Sequence, residues 1–238
     1  MWSTFKRKFI GDRDFYGYVL RLAVPMIIQN AITSFVSFLD NIMVGQIGTE
    51  QMSGVAIVNQ LMFVFNICIF GAVSGAGIFG TQYFGKGDYE GQKYAYRFKI
   101  YSSALITVLA ALLFIFGGEF LISLYLSDSG SVGDITLALK YGQEYLAVMV
   151  IGLFPFALAQ TYISSVRECG ETFVPMVAGL VAVFTNLVLD VILIFGLLGF
   201  PALGVRGAAI ATVIARFVEC IIVIVWTHRN TVKNKFII

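Results

Sequence analysis

The chain has 238 residues, 58% hydrophobic and only 13% charged, with a formal net charge of +2 and a mean hydropathy of +0.86. A soluble domain carries about 25% charged residues, so this composition excludes that class and predicts an integral membrane protein. The Lys and Arg residues sit at helix ends without forming a basic groove, which excludes nucleic acid as a partner.

Lys6, Arg7, Lys8 and Arg13 precede the first apolar run. That run is too long for a secretory signal and has no small-residue cleavage site after it, so it is expected to stay as a first span. Residues 18–44 are long enough to cross a hydrocarbon core of about 30 Å, which needs roughly 20 helical residues. Gln29, Thr33, Ser37 and Asp40 follow one another at helical spacing and fall on one side of that span. A polar stripe ending in a carboxylate must face protein or water, because facing lipid is costly. Asp40 therefore needs partners, and Gln29, Thr33 and Ser37 are candidates for lining a substrate path. Pro25 removes one helix hydrogen bond inside this span and is a candidate hinge.

Five further spans are predicted over about 52–80, 95–116, 136–160, 172–197 and 204–227. The fold class is thus all-α, a polytopic bundle of six transmembrane helices with a basic N-terminal segment (1–17) and a basic tail (228–238). Gly71 and Gly75 in the second span form a GxxxG step that would admit a close helix. A phosphate-cradling loop is the sharper reading of this glycine-rich stretch, but no strand precedes it and no GK[ST] follows. Gly85-Lys86-Gly87-Asp88 reads as the turn that ends the span. Residues 119–126 are too short to cross and are expected at the membrane interface. Ser131 with Asp134 is a weak capping signal for the fourth span. Pro155 lies deep in that span, and Pro175 near the start of the fifth.

The connections set the orientation. The N-terminal segment, the 81–99 loop (Lys86, Lys93, Arg97, Lys99), the 161–171 loop (Arg167) and the tail (Arg229, Lys233, Lys235) hold most of the positive charge. The opposite connections carry Glu50, Glu119, Asp128 and Asp134. Both termini are therefore expected in the cytoplasm of a cell that keeps this protein in its inner membrane, with Arg206 a minor exception.

Asn186 and Asp190 are four apart and stack on one face of the fifth span. With that orientation, Asp40 lies about 6 Å and Asp190 about 10 Å short of the outer ends of their spans, and Thr212 roughly 12 Å inside the sixth. Two carboxylates, an amide and a hydroxyl thus share one layer. Two carboxylates in a partly dry cavity cannot both ionise cheaply, so the pair tends to hold a proton. Alternatively, a hard monovalent cation such as Na⁺ could bind among the same oxygens. Both describe an ion-coupled carrier, and the residues do not choose between H⁺ and Na⁺. Arg216 and Glu219 have the spacing of an intrahelical ion pair, and Lys140 with Glu144 that of a solvated one. The cysteines Cys68, Cys169 and Cys220 are scattered, and a single histidine, His228, leaves no zinc spacing.

Taken in order, several of these residues resemble the N-terminal half of the multidrug and toxic compound extrusion family. The ordered set is Pro25, Asp40 and Met43-Val44-Gly45, then Gly71, Gly75, Gly77 and Gln82 before the GKGD turn. Tyr145-Leu146, Pro155-Phe156, Arg167, Gly170 and Pro175-Met176 follow, leading to Asn186, Asp190 and GVRGAAIAT at 204–212. The resemblance implies export of organic cations and other amphiphiles, driven by inward Na⁺ or H⁺, by alternating access between two six-helix lobes. It also implies a cation site at Asp40, Asn186, Asp190 and Thr212. Such transporters have about twelve spans, so a second six-helix lobe is an expected partner, supplied by a longer chain or by a second copy.

Three rival readings remain. A lipid-linked-sugar flippase would need a cationic cavity, for which Arg216 is the available in-span charge. A non-transporting membrane fragment or scaffold comes from another class. An enzyme lacks any HExxH or nucleophile-elbow motif here, and no cofactor beyond the coupling ion is expected.

Overall fold

Long apolar runs broken only by short polar connections produce a bundle of helices in the computed structural model, which describes residues 12–128, 134–199 and 201–237. Helix α1 is Arg13–Gly45, α2 is Thr49–Lys86 and α3 is Tyr89–Asp128. Helices α4 (Ile135–Met149) and α5 (Leu153–Glu168) are joined by a single 3-10 turn, Val150–Gly152, and together make the fourth span. Helix α6 is Phe173–Phe195 and α7 is Val205–Arg229. Six of these runs are long and apolar enough to cross a membrane. The multi-pass, all-helical reading is what the molecule has.

The helices outrun the apolar stretches that announce them. The second connection is not an 81–99 loop but a two-residue turn. Gly87 takes a left-handed φ of 71° and closes α2, and the Asp88 carboxylate accepts from the Gly91 N–H at 2.9 Å to open α3. Lys93, Arg97 and Lys99 therefore lie on α3. The segment 119–126 is likewise the continuation of α3, not a separate interfacial piece, because Ile122 and Leu126 are buried in the core. Asp134 caps α4 by accepting from the Thr136 N–H at 2.9 Å; Ser131 lies outside the described residues, as do 1–11 of the basic N-terminal segment.

Proline positions explain two of the breaks. Pro175 sits in the first turn of α6, where an N–H has no helical partner in any case. Pro155 sits in the first turn of α5, so its missing donor coincides with the 3-10 turn before it. Pro25 is different: α1 continues through it, and the Arg21 carbonyl loses its helical donor.

The main core lies among α2, α3, α4, α5 and α7, around Val58, Ile69, Ile122, Leu153 and Ala209. A smaller cluster at the end carrying both termini joins α5, α6 and α7 through Ala159, Ile163, Ala178 and Val223. Close helix contacts fall at glycines other than Gly71 and Gly75. A Cβ on Gly54 would stand 2.5 Å from the Ala138 carbonyl oxygen of α4, and one on Gly207 would stand 2.6 Å from that of Leu193 on α6. Around Gly71 and Gly75 there is open space, so among the described residues no helix packs closely on the GxxxG step. The tail is docked: Phe236 is buried against the Tyr96 ring at 5.0 Å, and Tyr162 meets His228 Nε2 at 3.1 Å. Helix α1 is the least covered element, resting mainly on α6, with only Gln29, Val36 and Val44 buried.

Candidate functional site

Three helices bring the carboxylates together. Asp40 and Asp190 each lie roughly one and a half turns before the end of α1 and α6, and Thr212 about two turns into α7. Because α1 packs along α6 and α6 along α7, these depths coincide. The carboxyls of Asp40 and Asp190 lie close enough to interact directly. Asp190 is 1% exposed.

Both carboxylate oxygens of Asp190, and Oδ1 of Asp40, are buried without a hydrogen-bond donor. A buried, bare carboxylate oxygen is costly, and two facing each other are more so. A proton or a cation between the oxygens would offset that cost. Around it lies a cavity of about 350 Å³ whose polar lining includes Ser37, Asn59, Tyr145, Thr212 and Arg216. Asn186 stands beside Asp190 and donates from Nδ2 to the Thr212 hydroxyl at 3.5 Å. The Thr212 hydroxyl in turn donates to the Ala208 carbonyl at 3.0 Å. The donor set of carboxylate, amide and hydroxyl oxygens suits a hard monovalent cation as well as a proton.

All four residues expected at this site are thus brought together, Asn186 from behind Asp190 and not from the cavity wall. The stripe on α1 is divided. Ser37 lines the same cavity, while the exposed Thr33 does not line it. Gln29 is buried further along and accepts from Arg167 Nη2 at 3.0 Å. A Cβ on Gly179 of α6 would collide with the Gln29 amide, so that glycine makes room for it.

Two ion-pair expectations are corrected. Arg216 donates to the Gly152 carbonyl at 3.3 Å and lies over the Phe156 ring at 5.1 Å. Among the described residues, ion pairs join Lys93 to Glu90, Lys99 to Glu168 and Arg206 to Glu144, so Glu219 makes none with Arg216. Glu144 pairs with Arg206 at 3.3 Å instead of Lys140, because α7 begins beside α4.

Charge counting along the chain missed the deepest ion pair. Lys99 is fully buried and bonds to Glu168, with the Ser165 hydroxyl at 3.2 Å and the Ser164 hydroxyl at 3.3 Å. Gly77 and Gly80 on α2 leave the space the Glu168 carboxylate occupies. The same reading passed over Asn59 and Asn66, a two-turn repeat on α2 that could have marked a polar face. Tyr145, named above for the family resemblance and not for this site, donates its hydroxyl to Asn59 Oδ1 at 3.4 Å.

The MatE family model matches residues 25–192, well over half of the chain. This chain belongs to the MatE family. It is 28% identical over 204 residues to a probable multidrug resistance protein NorM of Thermotoga maritima, covering 84% of this chain and 42% of that protein. It is 26% identical over 219 residues to the multidrug export protein MepA of Staphylococcus saprophyticus, covering 90% of this chain and 45% of that protein. In fold, the MatE chain matches a structure of a multidrug resistance MATE family transporter of the MOP superfamily in its outward-facing conformation. The TM-score is 0.77 at 24% identity, over 90% of this chain and 45% of that one. The chain spans less than half the length of the relatives it matches.

Proposed function

We propose that the chain is one six-helix lobe of an ion-coupled exporter of organic cations or other amphiphiles, working by alternating access with a second lobe. The observation that carries this reading is the trio of buried, donorless oxygens on Asp40 and Asp190. Such a pair takes up H⁺ or Na⁺ reversibly, with Asn186 and Thr212 orienting the oxygens around it. Positive charge at the terminal end orients both termini to the cytoplasm, which puts the pair in the outer half. Relatives named as multidrug proteins support small-molecule cargo. The second lobe comes from a further stretch of polypeptide or a second copy, facing the thinly covered α1.

Loading the pair changes what holds α1 to α6 at this depth. The bare pair repels, and a shared proton or bound cation joins the two oxygens. Pro25, one helical bond short, gives α1 a place to bend as that balance shifts. The test is Asp40→Asn, which imitates the loaded state, in proteoliposomes containing the full chain. Ion-driven export of an organic cation should fall to background, and the distance between probes on α1 and α6 should stay in one state whatever the ion. Export at the wild-type rate would overturn the proposal.

A further inference from the structure

The cavity of the carboxylate pair is also lined by a cation of the chain's own. Arg216 stands on α7 one helical turn past Thr212 and lines that cavity together with Asp40 and Asp190. A helical side chain leans toward the turn before its own Cα, so the Arg216 arm leans toward the Thr212 layer. The rise between the two residues is about 6 Å, a gap a long arginine stem can span.

Its hold is weak. Among the described residues, its guanidinium makes one hydrogen bond, from Nη1 to the Gly152 carbonyl at 3.3 Å. That is beyond the usual range of about 2.7–3.2 Å for an N–H···O bond. A Cβ on Gly152 would stand 3.2 Å from Arg216 Cδ and 3.3 Å from Nη1, so the glycine makes room for the arm. A guanidinium thus rests on a neutral carbonyl and the Phe156 ring, while three carboxylate oxygens of the same cavity lack a donor.

Few other charges stand near. Asp40 comes from α1, Asp190 from α6, the Tyr145 hydroxyl from α4 and Glu219 from α7 itself, and α2 offers the neutral Asn59. Arg167 on α5 faces Glu219 and lines the other cavity. Lys99 on α3 is engaged by Glu168. Among the described residues, Arg216 is therefore the one cation lining the cavity of the pair. Its planar fork of five N–H donors suits carboxylate oxygens better than a carbonyl.

We infer that Arg216 is a tethered counter-ion for the emptied pair. Its guanidinium turns from the Gly152 carbonyl to Asp40 and Asp190 when they lose their ion, and an arriving ion must displace it. Loading the pair returns Arg216 to Gly152 and to Glu219, three residues along the same helix. The inference rests on the ion-site reading of the proposed function and adds to it the residue that competes with the coupling ion.

The experiment is infrared difference spectroscopy of the full chain in phosphatidylcholine nanodiscs, titrated with acid in buffer without Na⁺. Subtracting the same titration of Asp190→Asn isolates the carboxylic acid band of the pair. Half-protonation should need roughly tenfold less H⁺ in Arg216→Gln, because a competing positive charge has gone, and Arg216→Lys should stay near the wild type. A second reading uses arginine isotope-labelled at the guanidinium nitrogens. Its bands should shift as the wild-type pair takes up its proton and stay fixed in Asp190→Asn. A wild-type pair that takes up no proton overturns the ion-site reading and this inference with it. Proton uptake that Arg216→Gln leaves unchanged, or wild-type guanidinium bands that stay fixed through it, overturns this inference alone.

Discussion

Lys99 shows what one residue can do in this interior. Its ammonium has no exposed surface and depends on Glu168 with two serine hydroxyls. Removing one partner of a buried pair leaves an uncompensated charge and typically costs about 3–5 kcal/mol, whereas replacing both is far milder. Lys99→Met should therefore destabilise the chain strongly in a denaturant titration, and Lys99→Met with Glu168→Gln should recover most of the loss. Additive losses would mean that the pair contributes nothing as a pair. No charge count along the chain could find it, because a lysine in a connection and a lysine inside a helix contribute equally to such a count. The carboxylate layer was legible for the opposite reason. Asp40, Asn186, Asp190 and Thr212 lie within uninterrupted apolar runs, so distance from the helix ends fixed their depths. What depth could not supply was the wall opposite: Asn59, Tyr145 and Arg216 enter the same cavity from α2, α4 and α7.

At the scale of elements, glycine separates contact from composition. Gly54 and Gly75 both lie on α2, and the sequence favours Gly75, which belongs to the visible GxxxG step. Space decides otherwise. A methyl on Gly54 meets the backbone of Ala138 and Gly142, neither of which can turn aside, while a methyl on Gly75 meets nothing. Gly54→Ala should cost about 1–3 kcal/mol as overpacking between α2 and α4. Gly75→Ala should be neutral or gain up to about 1 kcal/mol from helix propensity. Thermal unfolding of the two variants checks this, and a reversed order would mean that the helix pairing is wrong. Span number and order were readable because each apolar run announces a helix. Helix ends were not, because α2 and α3 continue as polar helix past their apolar stretches to Lys86 and from Tyr89.

For the whole molecule, the arrangement of α1 is the feature with consequences. The helix carrying Asp40 is the least buried of the spans, so a change of charge at the carboxylate pair acts on the element with the least packing to oppose it. The central claim is that an ion at this pair governs the state in which cargo binds. It is tested most directly by titrating the full chain in nanodiscs with tetraphenylphosphonium, an organic cation, across Na⁺ concentration and pH. The wild-type chain should show an affinity that shifts with one of the two ions, and Asp190→Asn should bind at an affinity that no longer responds to it while remaining folded. An ion response in Asp190→Asn equal to that of the wild type would contradict the account and move the coupling site away from Asp40 and Asp190.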